Sequence, residues 1–117
     1  MEKTITIDGR DVKFRATAAV PRLYRIKFRR DIIQDMQTIQ AALKQQAEDG
    51  SNIPPEALTM FENVAYIMAK HGDKNAVPDS PDEWLDSFNT FSIYEIFQEI
   101  VALWGLNMES TSAAKKK

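Results

Sequence analysis

Residues 4–16 alternate between apolar and polar side chains, the period of two that is typical of a β-strand with one buried face. The apolar positions are Ile5, Ile7, Val12, Phe14 and Ala16. Asp8 and Gly9 stand between the two runs, and a two-residue hairpin turn needs the positive φ that Asp-Gly adopts readily. The pattern predicts an N-terminal β-hairpin, whose apolar face must pack on helices because a lone hairpin is only marginally stable in water.

From residue 18 the apolar positions recur every three or four residues, the spacing of an amphipathic α-helix. Asp31 is suited to cap a helix, with Gln34 three residues later, so the chain is expected to break or kink at Arg29–Asp31. Three glycines are each expected to end a helix: Gly50, Gly72 and Gly105. The predicted helices span residues 18–30, 31–48, 55–71, 81–88 and 93–104.

The stretch Ser80–Asn107 contains both tryptophans and three of the six phenylalanines, so we expect it to form the core. Two capping-box patterns, Ser80–Glu83 and Ser92–Glu95, mark helix starts within it. Residues 108–117 are mostly small or polar and are predicted to be a disordered tail. The sequence therefore predicts a mainly α fold, a small helical domain of about four to five helices over residues 1–107 with the N-terminal β-hairpin.

The amino-acid composition limits the classes of protein to which this chain can belong. The chain has no cysteine, which excludes disulfides and thiolate metal sites and is typical of a reducing cytoplasm. Its apolar runs fall short of the ~20 residues of a membrane span, so no membrane association is expected. With 117 residues, 44% of them hydrophobic, the chain can bury a core of its own.

Charge is distributed unevenly along the chain. Residues 1–30 contain nine Lys or Arg and three Asp or Glu, whereas residues 31–112 contain three Lys and fourteen Asp or Glu. Opposite charge at the two ends can attract copies of one molecule head to tail, or it can leave two solvated faces with no partner. The residues proposed for self-association are Arg22, Arg25, Arg29 and Arg30.

Candidate chemistry is sparse, and neither an enzyme nor a cofactor is predicted. The one histidine, His71, stands near a helix C-terminus, where a cation favours the helix dipole, and a structural or solvated role is expected. Four carboxylates cluster near one predicted helix start: Asp79, Asp82, Glu83 and Asp86. Acids in a first helical turn are the ordinary explanation of such a cluster, so no metal site is predicted.

The basic run Arg22–Arg30 raises a second possibility, a small nucleic-acid-binding regulator whose first helix contacts phosphates. The domain as a whole is acidic, with a pI near 5.4, and no helix with base-contacting side chains stands out. Nucleic acid is therefore the alternative partner, and a protein partner is preferred.

Four blocks of the sequence together resemble the tail assembly chaperones of long-tailed siphophages, mainly those of Gram-positive hosts. They are TITIDGRDVKFRATAAVPRLYRIKFRRDIIQDM (4–36), FENVAYIMAK (61–70), DEWLDSF (82–88) and FSIYEIFQEIVALWGLN (91–107). The resemblance follows nearly the whole chain in order, although no block is a chemical motif. The family has glycine at the position of Arg29, in a Phe-Gly-Arg-Asp context, so arginine there argues against a sharp break.

The resemblance implies a non-enzymatic chaperone that binds the tape measure protein and keeps it soluble until tail tube subunits polymerise round it. The short form implied here would act in the host cytoplasm and be absent from the mature virion. Family members often have a longer product of ribosomal frameshifting that recruits the tail tube protein. Lys115–Lys117 agrees with this feature, because a run of adenines can encode it. A basic tail with no such role is the other interpretation.

Binding of the tape measure protein, the client of such a chaperone, is assigned as a hypothesis to aromatic residues of the last helices. Exposed apolar surface can shield an aggregating helix. The candidates are Phe91, Tyr94, Phe97 and Trp104. The competing interpretation is that these four side chains are buried in the core.

Overall fold

The computed structural model describes the backbone of residues 2–112, and the side chains of these residues except those at 93, 94 and 105–112. Two strands, β1 (Glu2–Ile7) and β2 (Arg10–Arg15), precede the helices. The helices are α1 (Val20–Phe28), α2 (Ile32–Asp49), α3 (Pro55–Gly72), α4 (Pro81–Asp86) and α5 (Ile93–Ser112). The fold is thus mainly helical with an N-terminal antiparallel hairpin, which confirms the predicted fold class.

The hairpin has the predicted turn and the predicted buried face. β1 and β2 pair antiparallel, with Ile5 opposite Val12. Asp8 (φ 53°) and Gly9 (φ 77°) both have positive φ, as a primed turn requires. Phe14 is fully buried, and the hairpin packs on α3 through β2 and on α5 through β1. The helices therefore supply the apolar surface that a lone hairpin lacks.

Polar contacts fix the hairpin turn to the segment between α4 and α5. The Asp8 carboxylate accepts a hydrogen bond from the backbone N–H of Asn89 at 2.8 Å. Arg10 donates to the Ser87 hydroxyl at 2.9 Å, and its guanidinium carbon lies 4.1 Å from the centre of the Phe88 ring. Residues about eighty positions apart in the chain are thereby held together at one end of the fold.

The central element is α3, and the described residues of the stretch 80–107, which was expected to form the core, contribute seven buried apolar side chains. Eight residues of α3 are buried, and the helix contacts β2 and each of the other four described helices. Trp84 of α4 packs edge-on against Tyr66 of α3 and Phe14 of β2, with ring centres 6.0 Å and 6.4 Å apart. Residues 64–69 of α3 are buried without interruption, so the fold covers this part of α3 on nearly all sides. A helical segment that is apolar all round is typical of such a central position.

The break between α1 and α2 is present where it was expected. Arg29 follows α1 in the left-handed conformation, with φ 59° and ψ 40°. Asp31 then caps α2, because its carboxylate accepts a hydrogen bond from the Ile33 N–H at 2.9 Å. Arginine at position 29 therefore adopts the conformation that glycine would take, and the break is sharp in spite of the side chain.

Gly72 has a different role from the one predicted. It is the last residue of α3, and Asp73 occupies the C-cap position that the sequence assigned to Gly72. A Cβ on Gly72 would lie 2.9 Å from the carbonyl carbon of Lys13 and still closer to its oxygen. Glycine is needed here because α3 and the backbone of β2 approach each other too closely for any side chain.

The predicted end of the last helix at Gly105 is wrong, because α5 continues to Ser112. Glycine inside a helix costs only about 1 kcal/mol relative to alanine, and no proline follows it to prevent continuation. The segment 108–117 was predicted to be disordered, yet residues 108–112 have helical backbone. The remainder of that predicted tail, 113–117, lies outside the described residues.

Candidate partner-binding surfaces

Two of the aromatic residues proposed to bind a client are buried in the core. Phe97 is 5% exposed and Trp104 is 7% exposed, and the Phe97 ring lies 5.4 Å from that of Phe61 in α3. Phe91 is half-buried, and the side chain of Tyr94 lies outside the described ones. In this conformation Phe97 and Trp104 therefore offer little surface to a partner. Their role in client binding stays a prediction.

Arg30, one of the four arginines proposed for self-association, is bound to a carboxylate of its own chain. Its guanidinium Nε and Nη2 each donate to Asp35 at 2.8 Å, and the Tyr24 hydroxyl donates to the same carboxylate at 2.6 Å. Asp35 is only 2% exposed. Burial raises the pKa of the Asp35 carboxyl, but hydrogen bonds from Arg30 and Tyr24 outweigh it and hold the pKa below its usual value. Arg30 therefore stabilises the corner between α1 and α2.

The other three arginines lie on the exposed side of this corner. Arg22, Arg25 and Arg29 are exposed, and none of them forms an ion pair within the described part of the chain. Ile26 stands between them in sequence and is 63% exposed. The outer face of α1 is therefore basic with the large apolar side chain of Ile26 among the arginines, and its role in self-association stays a prediction.

A groove of about 490 Å³ runs between α1 and α3. Leu23 (37% exposed) and Ile26 form its α1 wall, while the buried residues Tyr66 and Ile67 belong to α3. We call this surface the α1–α3 groove. Its walls are mainly apolar, whereas an amphipathic surface helix usually turns such residues toward the core.

The rim of the α1–α3 groove is basic and well ordered by hydrogen bonds. Lys27 donates to the backbone carbonyl of Asp79 at 2.7 Å. Lys70 donates to the Asp79 carboxylate at 2.9 Å and to the Val77 carbonyl at 2.6 Å. The hydrogen bond and charge of Lys70 lower the pKa of the Asp79 carboxyl, so this carboxylate stays ionised and paired. Lys74 completes the set of three lysines on the rim.

Sequence reasoning missed the α1–α3 groove. The helical spacing of apolar residues in α1 selects Val20, Leu23, Tyr24 and Phe28 as one stripe and leaves Ile26 out. The available signal was Ile26 itself, an isolated large apolar residue among the arginines of the polar face. Leu23 belongs to this stripe by its spacing, but it is 37% exposed and lines the groove.

His71 forms a hydrogen bond between its Nε2 and the Thr17 hydroxyl at 2.9 Å. Burial, assisted by the charges of Arg15 and Lys74, lowers the pKa of His71 below its ordinary value and favours the neutral ring. The hydrogen bond agrees with the expected structural role, and the lowered pKa weakens the expected cationic contribution to the helix dipole. Thr17 precedes α1, so His71 joins that segment to the end of α3.

The carboxylates near α4 form a negatively charged surface. Asp82, Glu83 and Asp86 are exposed, and Ser80 caps the helix by accepting from the Glu83 N–H at 3.3 Å. Burial, and then the charge of Asp82, raises the pKa of the neighbouring Glu62 carboxyl. No group of three or more His, Asp or Glu side chains in the described residues is placed to hold a metal ion.

No protein-family model, curated protein or solved structure matches the chain. Among residues 2–112, no helix combines the length and apolar character needed to cross a bilayer.

Proposed function

We propose that this protein is a phage tail assembly chaperone that binds the tape measure protein and keeps it soluble during tail morphogenesis. The observation that carries the proposal is the α1–α3 groove, an apolar surface that the fold leaves open to solvent. The groove receives Leu23 and Ile26 from the first sequence block that resembles the chaperone family, and Tyr66 and Ile67 from the second.

An open apolar groove suits this function on physical grounds. A long helical client exposes apolar stripes that aggregate until tube subunits cover them. A chaperone needs apolar surface to cover those stripes, and it needs charge beside that surface to remain soluble when empty. The α1–α3 groove offers both, because Leu23 and Ile26 lie next to Lys27 and Lys74.

The remaining parts of the proposal follow from the resemblance. The protein would have no enzymatic activity, would act in the host cytoplasm and would leave before the virion is complete. A longer frameshifted form would contact the tail tube protein. Lys115–Lys117, where the frameshift would occur, lies outside the described residues.

Co-expression with the tape measure protein of the same phage tests the proposal. After centrifugation, the client is expected in the supernatant and is expected to copurify with the tagged chain. Ile26→Asp should return the client to the pellet, because a charge in the groove opposes apolar contact. Ile33→Asp is the matched control, since Ile33 is 42% exposed on α2 and lies outside the groove.

Three results would contradict the chaperone function. The first is a client that stays insoluble with both the short chain and a longer frameshifted form present, and the second is a client that is soluble without either. The third is the presence of the chain itself in purified virions, which would favour a structural component.

A nucleic-acid-binding regulator remains the second candidate, and the exposed arginines of α1 favour it. Arg22, Arg25 and Arg29 form no ion pair in the described structure and are free to contact phosphates. Titration with duplex DNA at several salt concentrations tests this candidate. Binding through three phosphates should give a slope of log K against log salt of about −2.7, and no binding at low salt would exclude it.

A further inference from the structure

We infer that the α1–α3 groove binds a single amphipathic helix of a partner protein, with carboxylates flanking the apolar stripe of that helix. Which helix occupies the groove in the cell rests on the proposed function. The chemistry of the occupant follows from the groove alone.

The apolar part of the groove favours a partner with apolar side chains. Ile26 and Leu23 are two of the three large hydrophobic residues that are exposed in the described part of the chain, and both line this one concavity. They are three residues apart on α1, so their side chains lie on neighbouring positions of one helix face. Apolar side chains from a partner would remove both residues from water.

The backbone of the groove walls calls for a helix rather than an extended segment. α1 and α3 satisfy their own backbone N–H and C=O groups through helical hydrogen bonds. An extended peptide in this groove would find no strand edge to pair with, and its own polar backbone would lie against apolar walls. A helical partner brings its backbone already hydrogen-bonded and contributes side chains only.

The rim calls for acidic residues beside the apolar stripe. The rim has one carboxylate and three lysines, Lys27, Lys70 and Lys74. The carboxylate, Asp79, is already paired with Lys70. Arg22 lies one helical turn before Ile26 on α1 and adds a further exposed cation. A helix with carboxylates on both sides of its stripe complements this positive border, and a helix with lysines there is repelled.

Two designed peptides measure this preference. Each has about 18 residues, enough for an isolated helix to form. Its leucines follow one another at alternating intervals of three and four residues, so that they form one stripe. In the first peptide glutamate flanks the leucine stripe, and in the second lysine replaces every glutamate. A third peptide has the composition of the first in an order that scatters the leucines round the helix. Fluorescence anisotropy of labelled peptide against the full chain gives each dissociation constant.

The glutamate peptide should bind at least about tenfold more tightly than the lysine peptide or the scrambled peptide, and salt should weaken its binding. Ile26→Asp should weaken binding at least about tenfold, because it places a charge where an apolar contact forms. Lys74→Glu should weaken it several-fold and reduce its salt dependence. Ile33→Asp, the control on α2, should bind as the unaltered chain does. Circular dichroism and the urea midpoint establish that each variant is folded.

Four outcomes would overturn the inference. They are equal binding of the glutamate and lysine peptides, equal binding of the scrambled peptide, unchanged affinity in Ile26→Asp, and no binding of the glutamate peptide. If the last outcome is joined by a dimer that Ile26→Asp dissociates, the occupant is a second copy of this chain.

The peptide assay contains no phage protein, so it separates the two proposals. Peptide binding without client solubilisation would contradict the chaperone function and leave the groove's preference intact. Client solubilisation that Ile26→Asp does not impair would contradict the groove and leave the chaperone function intact.

Discussion

At the residue scale, the corner between α1 and α2 depends on one buried carboxylate. Asp35 is almost fully buried, and an isolated charge at such a depth would strongly oppose folding. Tyr24 and Arg30 together donate three hydrogen bonds to it, so both carboxylate oxygens are satisfied. This network could not be predicted from the sequence, because Asp35 lies among the polar positions of a predicted amphipathic helix.

Replacing Asp35 with asparagine should lower the free energy of unfolding by about 1.5–3 kcal/mol at pH 7, because hydrogen bonds to a charged group are lost. The folded state lowers the pKa of Asp35, so its stabilisation is present above the pKa of the unfolded chain, about 3.9. It is lost as the pH falls through the lower pKa of the folded state. The difference between the variant and the unaltered chain should therefore shrink below about pH 4.

Urea unfolding of both proteins from pH 7 to pH 3 measures this difference. Asp86→Asn is the control, since Asp86 is exposed on α4 and its loss should have little effect at any pH. A constant difference between Asp35→Asn and the unaltered chain over the whole range would show that the carboxylate charge contributes nothing.

Replacing Gly72 with alanine should destabilise the fold by about 1–3 kcal/mol, the usual cost of overpacking. In an ordinary helix the same change adds up to about 1 kcal/mol of stability, so the expected sign is reversed by the contact with the Lys13 backbone. Gly50→Ala is the comparison that separates backbone strain from steric contact, because position 50 has positive φ but open space around it. A stabilised Gly72→Ala variant, measured by its urea midpoint, would contradict the close approach of α3 and β2.

At the element scale, the break between α1 and α2 combines a favourable cap with an unfavourable residue. Asp31 caps α2, and the Arg29 N–H donates to the Arg25 carbonyl at the end of α1. The left-handed conformation of Arg29 costs about 1 kcal/mol or more for a residue with a Cβ. The neighbouring contacts of Arg30 and Asp35 hold the corner in place in spite of this cost.

Arg29→Gly should therefore stabilise the protein by about 0.5–1 kcal/mol, because glycine adopts positive φ without steric cost and loses only part of this gain to the unfolded chain. The matched control is Arg25→Gly, which removes the same charge from the interior of α1 and should destabilise by about 1 kcal/mol. Thermal unfolding of the two variants should shift in opposite directions. A lower melting temperature for Arg29→Gly would mean that its side chain makes a stabilising contact.

The hairpin and the existence of each helix could be predicted because apolar periodicity and turn residues are local signals. The helix end at Gly105 could not, since glycine is compatible with either a cap or a helix interior. The remaining features depend on residues that are distant in the sequence and close in space. The close approach at Gly72, the burial of Phe97 and Trp104, and the α1–α3 groove all depend on where α3 lies. Residues 64–69, a nearly continuous apolar run, were the one sequence signal of its central position.

At the scale of the whole molecule, the uneven charge along the chain becomes two surfaces of opposite sign. The basic surface includes Arg22 and Arg25 on α1, and the acidic surface includes Asp82 and Glu83 on α4. Both pairs are exposed, so either surface can meet its opposite on another copy. Contacts of this kind are head to tail and form open chains when the rotation between copies does not close.

Reversal of Arg22 and Arg25 to glutamate should therefore weaken self-association at low salt. Arg30 is left in place, because its loss would remove two hydrogen bonds from Asp35. An effect on folding could then not be distinguished from an effect on self-association. Lys13→Glu with Lys44→Glu is the control, since it makes the same change of net charge at exposed positions of β2 and α2. Sedimentation velocity in about 20 mM and 300 mM salt should show larger species only at low salt, where screening is weak, and only for the unaltered chain and the control. Equal sedimentation of the arginine variant and the unaltered chain at low salt would contradict the head-to-tail contact. Equal loss of association in both variants would assign the effect to net charge rather than to α1.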